Sequence, residues 1–232
     1  MEIKVLATGS KGNCYHITDG STPLLLEAGI QFKEIQRKLN FQTSNIAGCL
    51  ITHEHQDHCK GVKTVLDRGL NVYMSKGTKE ALNIQHHRIK TVESKKQFQL
   101  GTWTILPFDV QHDVSEPYGY LLQSKHGYKV LFATDTYYIK YRFKGLTHIM
   151  IECNWDEQTL NKNVEKGYLH PAIKKRVKRS HMGLETLLDF FKANDLSKVQ
   201  EIWLLHLSDG NANEERIRNE VAKATGKMIL TP

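Results

Sequence analysis

Long apolar runs are missing from this 232-residue sequence. No stretch approaches the roughly 18 consecutive apolar residues that a membrane-spanning helix needs. The opening segment, MEIKVLATGSKGN, turns polar and glycine-rich too early for a secretory signal. Both absences predict a cytosolic protein with no membrane partner. Cysteine is scarce, and Cys14, Cys49, Cys59 and Cys153 show no CxxC spacing. Reduced thiols are expected rather than a disulfide framework. Cys59 follows a histidine-rich stretch and reads either as a pocket wall or as a small half-buried residue. No Pro-rich or Gly/Ser-rich linker divides the chain, and no internal repeat is visible, so one domain over residues 1–232 is expected. Negative charge is in deficit: the formal net charge is +7 with histidine neutral. That balance suits anionic partners such as nucleotides, nucleic acid or phosphate esters, without selecting among them.

What is present is an alternation of short β-like runs with longer helical ones. Strands are predicted at EIKVLA, CYHIT, PLLLE, GCLIT, NVYMS, RIKTV, WTILPFDV, YGYLLQS, KVLFAT, HIMIE and EIWLLH. Helices are predicted to start near Phe32, Lys60, Thr78, Leu184 and Asn213. Leu184, Leu187, Leu188 and Phe191 form an amphipathic stripe. NANEERIRNEVAKATG opens on Asn and acids and closes on Gly226. The simplest architecture is α/β, with two sheets inside and helices outside. Residues 155–180 read as an irregular, increasingly basic insertion.

The densest chemistry lies in THEHQDHCKG, which starts at Thr52 directly after the apolar run AGCLI. Alternate residues of an extended segment point the same way, so His53 and His55 can converge on one point. Asp57 and His58 then fall at the turn into the next helix and can face a second point nearby. Neutral imidazole with carboxylate suits Zn²⁺, and Mn²⁺ or Fe²⁺ also fit. Three further candidates follow predicted strands: His112, Asp135 and His206. Each alone could be an ordinary polar residue; with the HxHxDH segment the ordered set is far more specific. A carboxylate can bridge two cations, and Asp135 is the natural bridge.

This ordered set resembles the metallo-β-lactamase-fold hydrolase superfamily, and the resemblance runs from VLATGSKGNCYHI to LLHLSDGN. It implies a four-layer αββα sandwich with two divalent metal ions, zinc first and manganese second. By that resemblance His53, His55 and His112 hold one metal, Asp57, His58 and His206 the other, and Asp135 bridges them. The family usually has aspartate where LLLEAGI places Glu27, an acid that stands behind a ligand histidine and orients it. Glutamate is one methylene longer, so its reach differs, and such supporting residues tune metal affinity.

RSHMGLETLLDFF places His181 just before an amphipathic helix. It resembles the corresponding segment of the ribonuclease Z group and its phosphodiesterase relatives. There the histidine contacts the scissile phosphate or protonates the leaving oxygen. MIECNWD resembles the segment whose glutamate pairs with that histidine, which implicates Glu152. A helix N-terminus also attracts phosphate. The alternative is a capping neighbour and a satisfied strand-end acid. The implied reaction is attack of a metal-activated hydroxide on phosphorus, with Asp57 orienting the hydroxide and His181, positioned by Glu152, as general acid.

Two groups of relatives compete for the substrate. VLATGSKGNC and the short body resemble both YycJ-type bacterial nucleases and the phage-encoded anti-Pycsar phosphodiesterases. The latter open 3′,5′-cyclic mononucleotides and silence a defence signal, which in that case would place the protein in a host cytoplasm. The missing nucleotide-binding insertion and tRNA-gripping arm favour a small cyclic-nucleotide substrate. The basic run KKRVKR, Lys174–Arg179, pulls towards a nucleic-acid backbone, towards one nucleotide, or towards a partner subunit. It also reads as a solvated helix face. Tyr168 and His170 could supply a stacking ring, the alternative being a core tyrosine. A non-catalytic nucleotide binder on the same fold is the remaining class. The resemblance also implies a homodimer.

Overall fold

The computed structural model describes Met1–Pro232. Met1–Asp109 with Val114–Tyr128 forms one compact unit, and Val110–Asp113 with Lys129–Pro232 a second.

The first unit carries β1 (Glu2–Ala7), β2 (Cys14–Thr18), β3 (Pro23–Leu26), α1 (Phe32–Lys38), β4 (Cys49–Leu50), α2 (Gln56–Cys59), α3 (Val62–Asp67), β5 (Val72–Met74), α4 (Lys76–Leu82), β6 (Ile89–Thr91), β7 (Phe98–Leu100), β8 (Trp103–Asp109) and β9 (Tyr118–Ser124). Strands β1 to β6 follow one another in a single sheet, antiparallel from β1 to β3 and parallel from β3 to β6. Strands β7, β8 and β9 pair antiparallel. In β8, buried Trp103, Ile105 and Pro107 alternate with half-buried Thr104 and Leu106, the period-two pattern of a strand with one face covered. Leu25, Ile35, Cys49, Ile51, Val62, Val65, Val72 and Met74 share the apolar core. Leu26 pairs with Leu50 across β3 and β4. The chain segments that leave these two parallel strands therefore leave from the same sheet edge.

The second unit carries β10 (Lys129–Ala133), β11 (His148–Glu152), α5 (Glu157–Glu165), α6 (Pro171–Ser180), α7 (Leu184–Ala193), β12 (Glu201–Leu205), α8 (Glu214–Thr225) and β13 (Met228–Leu230). Its four strands are all parallel, in the order β13-β12-β11-β10. Every residue of β11 is buried, as expected for a parallel strand covered on both faces. Because the strands run the same way, their C-terminal ends align: Ala133 pairs with Ile151, and Glu152 with Leu205. In open α/β sheets this carboxyl edge is where ligands bind.

Several sequence expectations need correction. Residues 155–180 are not irregular but form α5 and α6. Asp156 caps α5 by accepting from Thr159 N at 3.0 Å, and Pro171 opens α6. These helices bury little beyond Leu160, so no apolar stripe announced them. Helix formation near Lys60 starts earlier, at Gln56, which places Asp57 and His58 inside α2 rather than in the turn before it. In α7, Phe190 is buried and Leu188 only half-buried. The three-residue strands β7 and β13 are too short to show alternation. The four cysteines are buried free thiols. Cys59 donates to Glu54 O at 3.0 Å, and burial pushes its thiol up to about 12.

Asp156 does more than cap. It is fully buried, accepts from Asn213 N (2.8 Å) at the start of α8, and pairs with Arg216 Nη1 at 2.9 Å. Burial alone would raise its pKa, but these donors hold it below the usual carboxylate range. Asp156→Ala is expected to destabilise the protein by about 3 kcal/mol, since it removes a cap and strands a half-buried cation. Urea denaturation checks this through the midpoint at unchanged slope.

Candidate active site

The carboxyl edges of the parallel strands concentrate polar residues in otherwise apolar surroundings. In the first unit, β4 runs through Ile51 and Thr52 into His53, His55 and then α2. The His53 ring lies 4.8 Å from that of His55 and 4.2 Å from that of His58, centroid to centroid. His58 Nε2 is 3.4 Å from Asp57 Oδ2. His53 Nδ1 is tied to Thr52 Oγ1 at 2.9 Å. Glu27, just past the end of β3, is fully buried; it accepts from Thr52 N at 3.3 Å, and its Oε1 is 3.7 Å from His58 Nδ1. Glu27 thus stands behind His58, on the Nδ1 side of its ring. Burial raises its pKa, which the His58 imidazole and the Thr52 donors offset only in part.

Sequence reasoning assigned no role to Asn13. Its amide nitrogen lies 3.1 Å from His58 Nε2 and donates to Asp57 O at 3.3 Å, and its backbone N–H donates to the same carbonyl at 2.6 Å. Gly29 makes this approach possible, because a Cβ there would meet Asp57 O at 1.7 Å. The signal lay in the glycine of LLLEAGI, since a glycine lets a backbone come close to a site loop.

In the second unit, Asp135, Glu152, His181 and His206 each present a donor atom, all within 4.8 Å of one another. His112 joins them, with Nε2 3.9 Å from Asp135 Oδ2. His112 Nδ1 is 2.9 Å from Ser180 O. A carbonyl only accepts, so Nδ1 carries the proton and Nε2 keeps its lone pair. Burial lowers the His112 pKa despite nearby Asp135 and Glu152, which also favours the neutral ring. His206 Nδ1 is 3.7 Å from Asp135 Oδ1 and 3.0 Å from Asn154 Nδ2, a neighbour that sequence reasoning also passed over.

Glu152 and His181 form the shortest contact of the group, Oε1 to Nδ1 at 2.6 Å. The other carboxylate oxygen, Oε2, accepts from Thr136 N (2.9 Å) and Met182 N (3.2 Å). Both oxygens of Glu152 are thus engaged, one by the His181 ring and the other by two backbone N–H groups. Burial opposes charge on both groups, yet their mutual attraction prevails: Glu152 titrates below its ordinary range and His181 above. The His181 side chain is 19% exposed, whereas Glu152 is fully buried.

Backbone geometry sharpens the picture. Glu27, Asp135 and His206 follow apolar strands in left-handed conformation, with φ of 65°, 47° and 53°. Such turns are uncommon for residues other than glycine and cluster where side chains must be aimed.

Imidazole nitrogens beside carboxylates, as His53, His55 and His58 with Asp57 and as His112 and His206 with Asp135, are hard-to-borderline donors that could hold a divalent cation such as zinc or manganese. The chain belongs to a family of metal-dependent hydrolases. Residues 22–206 match the beta-lactamase superfamily domain, and this chain is a member of that family, with the metallo-β-lactamase fold. Among curated proteins it is 27% identical to exodeoxyribonuclease YycJ of Bacillus anthracis, over 96% of this chain and 88% of the relative. It is 28% identical to exodeoxyribonuclease WalJ of Streptococcus pneumoniae, over 91% and 83%. Among solved structures, the metallo-β-lactamase fold protein YhfI of Bacillus subtilis superposes with a TM-score of 0.74 at 14% identity, covering 99% of this chain and 95% of that one. No helix is long and apolar enough to cross a membrane.

Proposed function

We propose that this chain is a metal-dependent phosphodiesterase acting on nucleotide phosphodiesters, with His53, His55, Asp57, His58, His112, Asp135 and His206 holding two divalent cations. The observation that carries the reading is the 2.6 Å pair of His181 with Glu152, beside Asp135 and His206. A held, charge-stabilised histidine at that place suits a phosphodiester, whose alkoxide leaving group is poor and departs with a proton. Divalent cations would supply Lewis-acid polarisation and an activated water. The chain's own residues do the rest. Asp57 orients the attacking water. Glu152 fixes the His181 ring and stabilises its protonated form. His181 delivers that proton to the departing oxygen. Asn13 and Glu27 fix His58 from two sides.

DNA is the substrate we favour, because the relatives of similar length are named exodeoxyribonucleases. Cyclic mononucleotides are the second reading. They stay in view because VLATGSKGNC resembles the anti-Pycsar enzymes as well as the YycJ-type nucleases. Linear single- and double-stranded DNA, RNA, cyclic CMP and cyclic UMP, each offered with zinc and with manganese, test both. Mononucleotide release from DNA is expected. Turnover confined to cyclic CMP or UMP moves the assignment to the second reading. No turnover of any phosphodiester with either metal overturns both and leaves a nucleotide binder. Asp57→Ala separates that last case, since a binder keeps its affinity for nucleotides and its effect in cells.

A further inference from the structure

The five cations of the KKRVKR segment are not equivalent once α6 is folded. Lys174 and Lys178, one helical turn apart, both turn inward to Glu157 of α5, at 3.3 and 2.7 Å. Lys174 also bonds Asn161, and the Lys178 ammonium sits 5.1 Å above the Trp155 ring. These two hold the helix down. Lys175, Arg176 and Arg179 lie on the outer face, exposed, with no carboxylate in ion-pair range. Spacings of three and four residues put Arg176 and Lys175 each beside Arg179 on that face. At the helix start, Tyr168 is 78% and Ile173 51% exposed. An exposed tyrosine overturns the core alternative for Tyr168.

The helix is also wired to the site. Its last residue, Ser180, accepts from His112 Nδ1 through its carbonyl (2.9 Å), and the next residue is His181. The Trp155 indole donates to His181 O at 3.0 Å.

We propose that α6 is a rail for a nucleic-acid strand. Lys175, Arg176 and Arg179 engage successive backbone phosphates of single-stranded DNA, and the Tyr168 ring offers a stacking face for one base. The inference rests on the phosphodiesterase reading and narrows its substrate class to a polyanionic strand. Charge complementarity selects this occupant: three uncompensated cations on a chain of net charge +7 attract a polyanion, and a stacking ring beside them tolerates any base. A single cyclic nucleotide carries one charge and has no use for three outward cations along a helix.

The test is a triple charge reversal, Lys175→Glu with Arg176→Glu and Arg179→Glu, and separately Tyr168→Ala. Three readouts are compared with the parent protein, all on the metal-loaded full chain. The first is anisotropy of a fluorescent single-stranded oligonucleotide across a salt series. The second is kcat/KM on that oligonucleotide, and the third is turnover of bis(p-nitrophenyl) phosphate. Oligonucleotide affinity in the triple variant is expected to fall about tenfold or more at low salt, and the slope of log K against log salt to become shallower by about 2. Tyr168→Ala should weaken binding by about fivefold or more without altering the slope. Bis(p-nitrophenyl) phosphate turnover should stay at the parent level in both. Unchanged affinity and slope overturn the rail while leaving the phosphodiesterase standing. Loss of turnover on the small ester in the parent protein instead strikes the phosphodiesterase, and the anisotropy arm still decides the rail. A triple variant that changes its oligomeric state by light scattering, with DNA affinity retained, assigns the face to contact between copies and also overturns the proposal.

Discussion

His181→Ala is expected to lower kcat on a nucleotide phosphodiester by about 10²–10⁴-fold while sparing an ester with a good leaving group. The His181 Nδ1 is committed to Glu152 Oε1 at 2.6 Å, and Glu152 is itself fixed by the backbone N–H groups of Thr136 and Met182. A ring pinned in this way and kept in its protonated form by a buried carboxylate has one proton to give, from Nε2. That proton matters when the departing oxygen is a sugar alkoxide and little when it is p-nitrophenolate. The measurement is the ratio of the two kcat losses in His181→Ala: a large loss on DNA or cyclic nucleotide, and under about tenfold on bis(p-nitrophenyl) phosphate. Glu152→Gln should show the same asymmetry in milder form, because it removes the charge that supports the protonated ring but keeps a partner. Equal losses on both esters would mean that His181 serves binding or structure, and the proton-donor role falls.

Asp135→Asn should abolish turnover more completely, by about three orders of magnitude, with bound zinc or manganese reduced by half or more. Asp135 is the acid on which the second group converges: His112 Nε2 at 3.9 Å, His206 Nδ1 at 3.7 Å and His181 Nδ1 at 4.0 Å surround it, and Thr134 Oγ1 donates to it at 2.8 Å. Asparagine matches its size and tolerates left-handed backbone, so the fold should persist. What asparagine lacks is the negative charge and the second anionic oxygen that two cations would share. Elemental analysis of the purified variant, alongside circular dichroism, separates lost metal from lost fold. Full metal content with full activity would remove Asp135 from the centre.

Much of this was legible in the sequence where apolar runs are continuous. YGYLLQS and HIMIE coincide with β9 and β11. Burial on both faces gives an uninterrupted apolar signal, and the polar residue that ends such a run stands out. Asp135 and His206 were therefore visible as strand-end exceptions, whereas Glu152 entered only through the resemblance of MIECNWD to a known segment. Helices α5 and α6 were not, because they bury only Leu160 and Ser180 and take their order from caps and one shared glutamate. Asn13 and Asn154 escaped for another reason. Their role lies in touching His58 and His206, 45 and 52 positions away along the chain. No local pattern encodes a contact of that separation.

The tight left-handed bends at Glu27, Asp135 and His206 set this protein against any selection for heat resistance. Each costs on the order of 1 kcal/mol or more that glycine would recover. A laboratory screen for thermostable variants should therefore enrich glycine at these three places first. The survivors would be sturdier proteins that no longer turn over substrate.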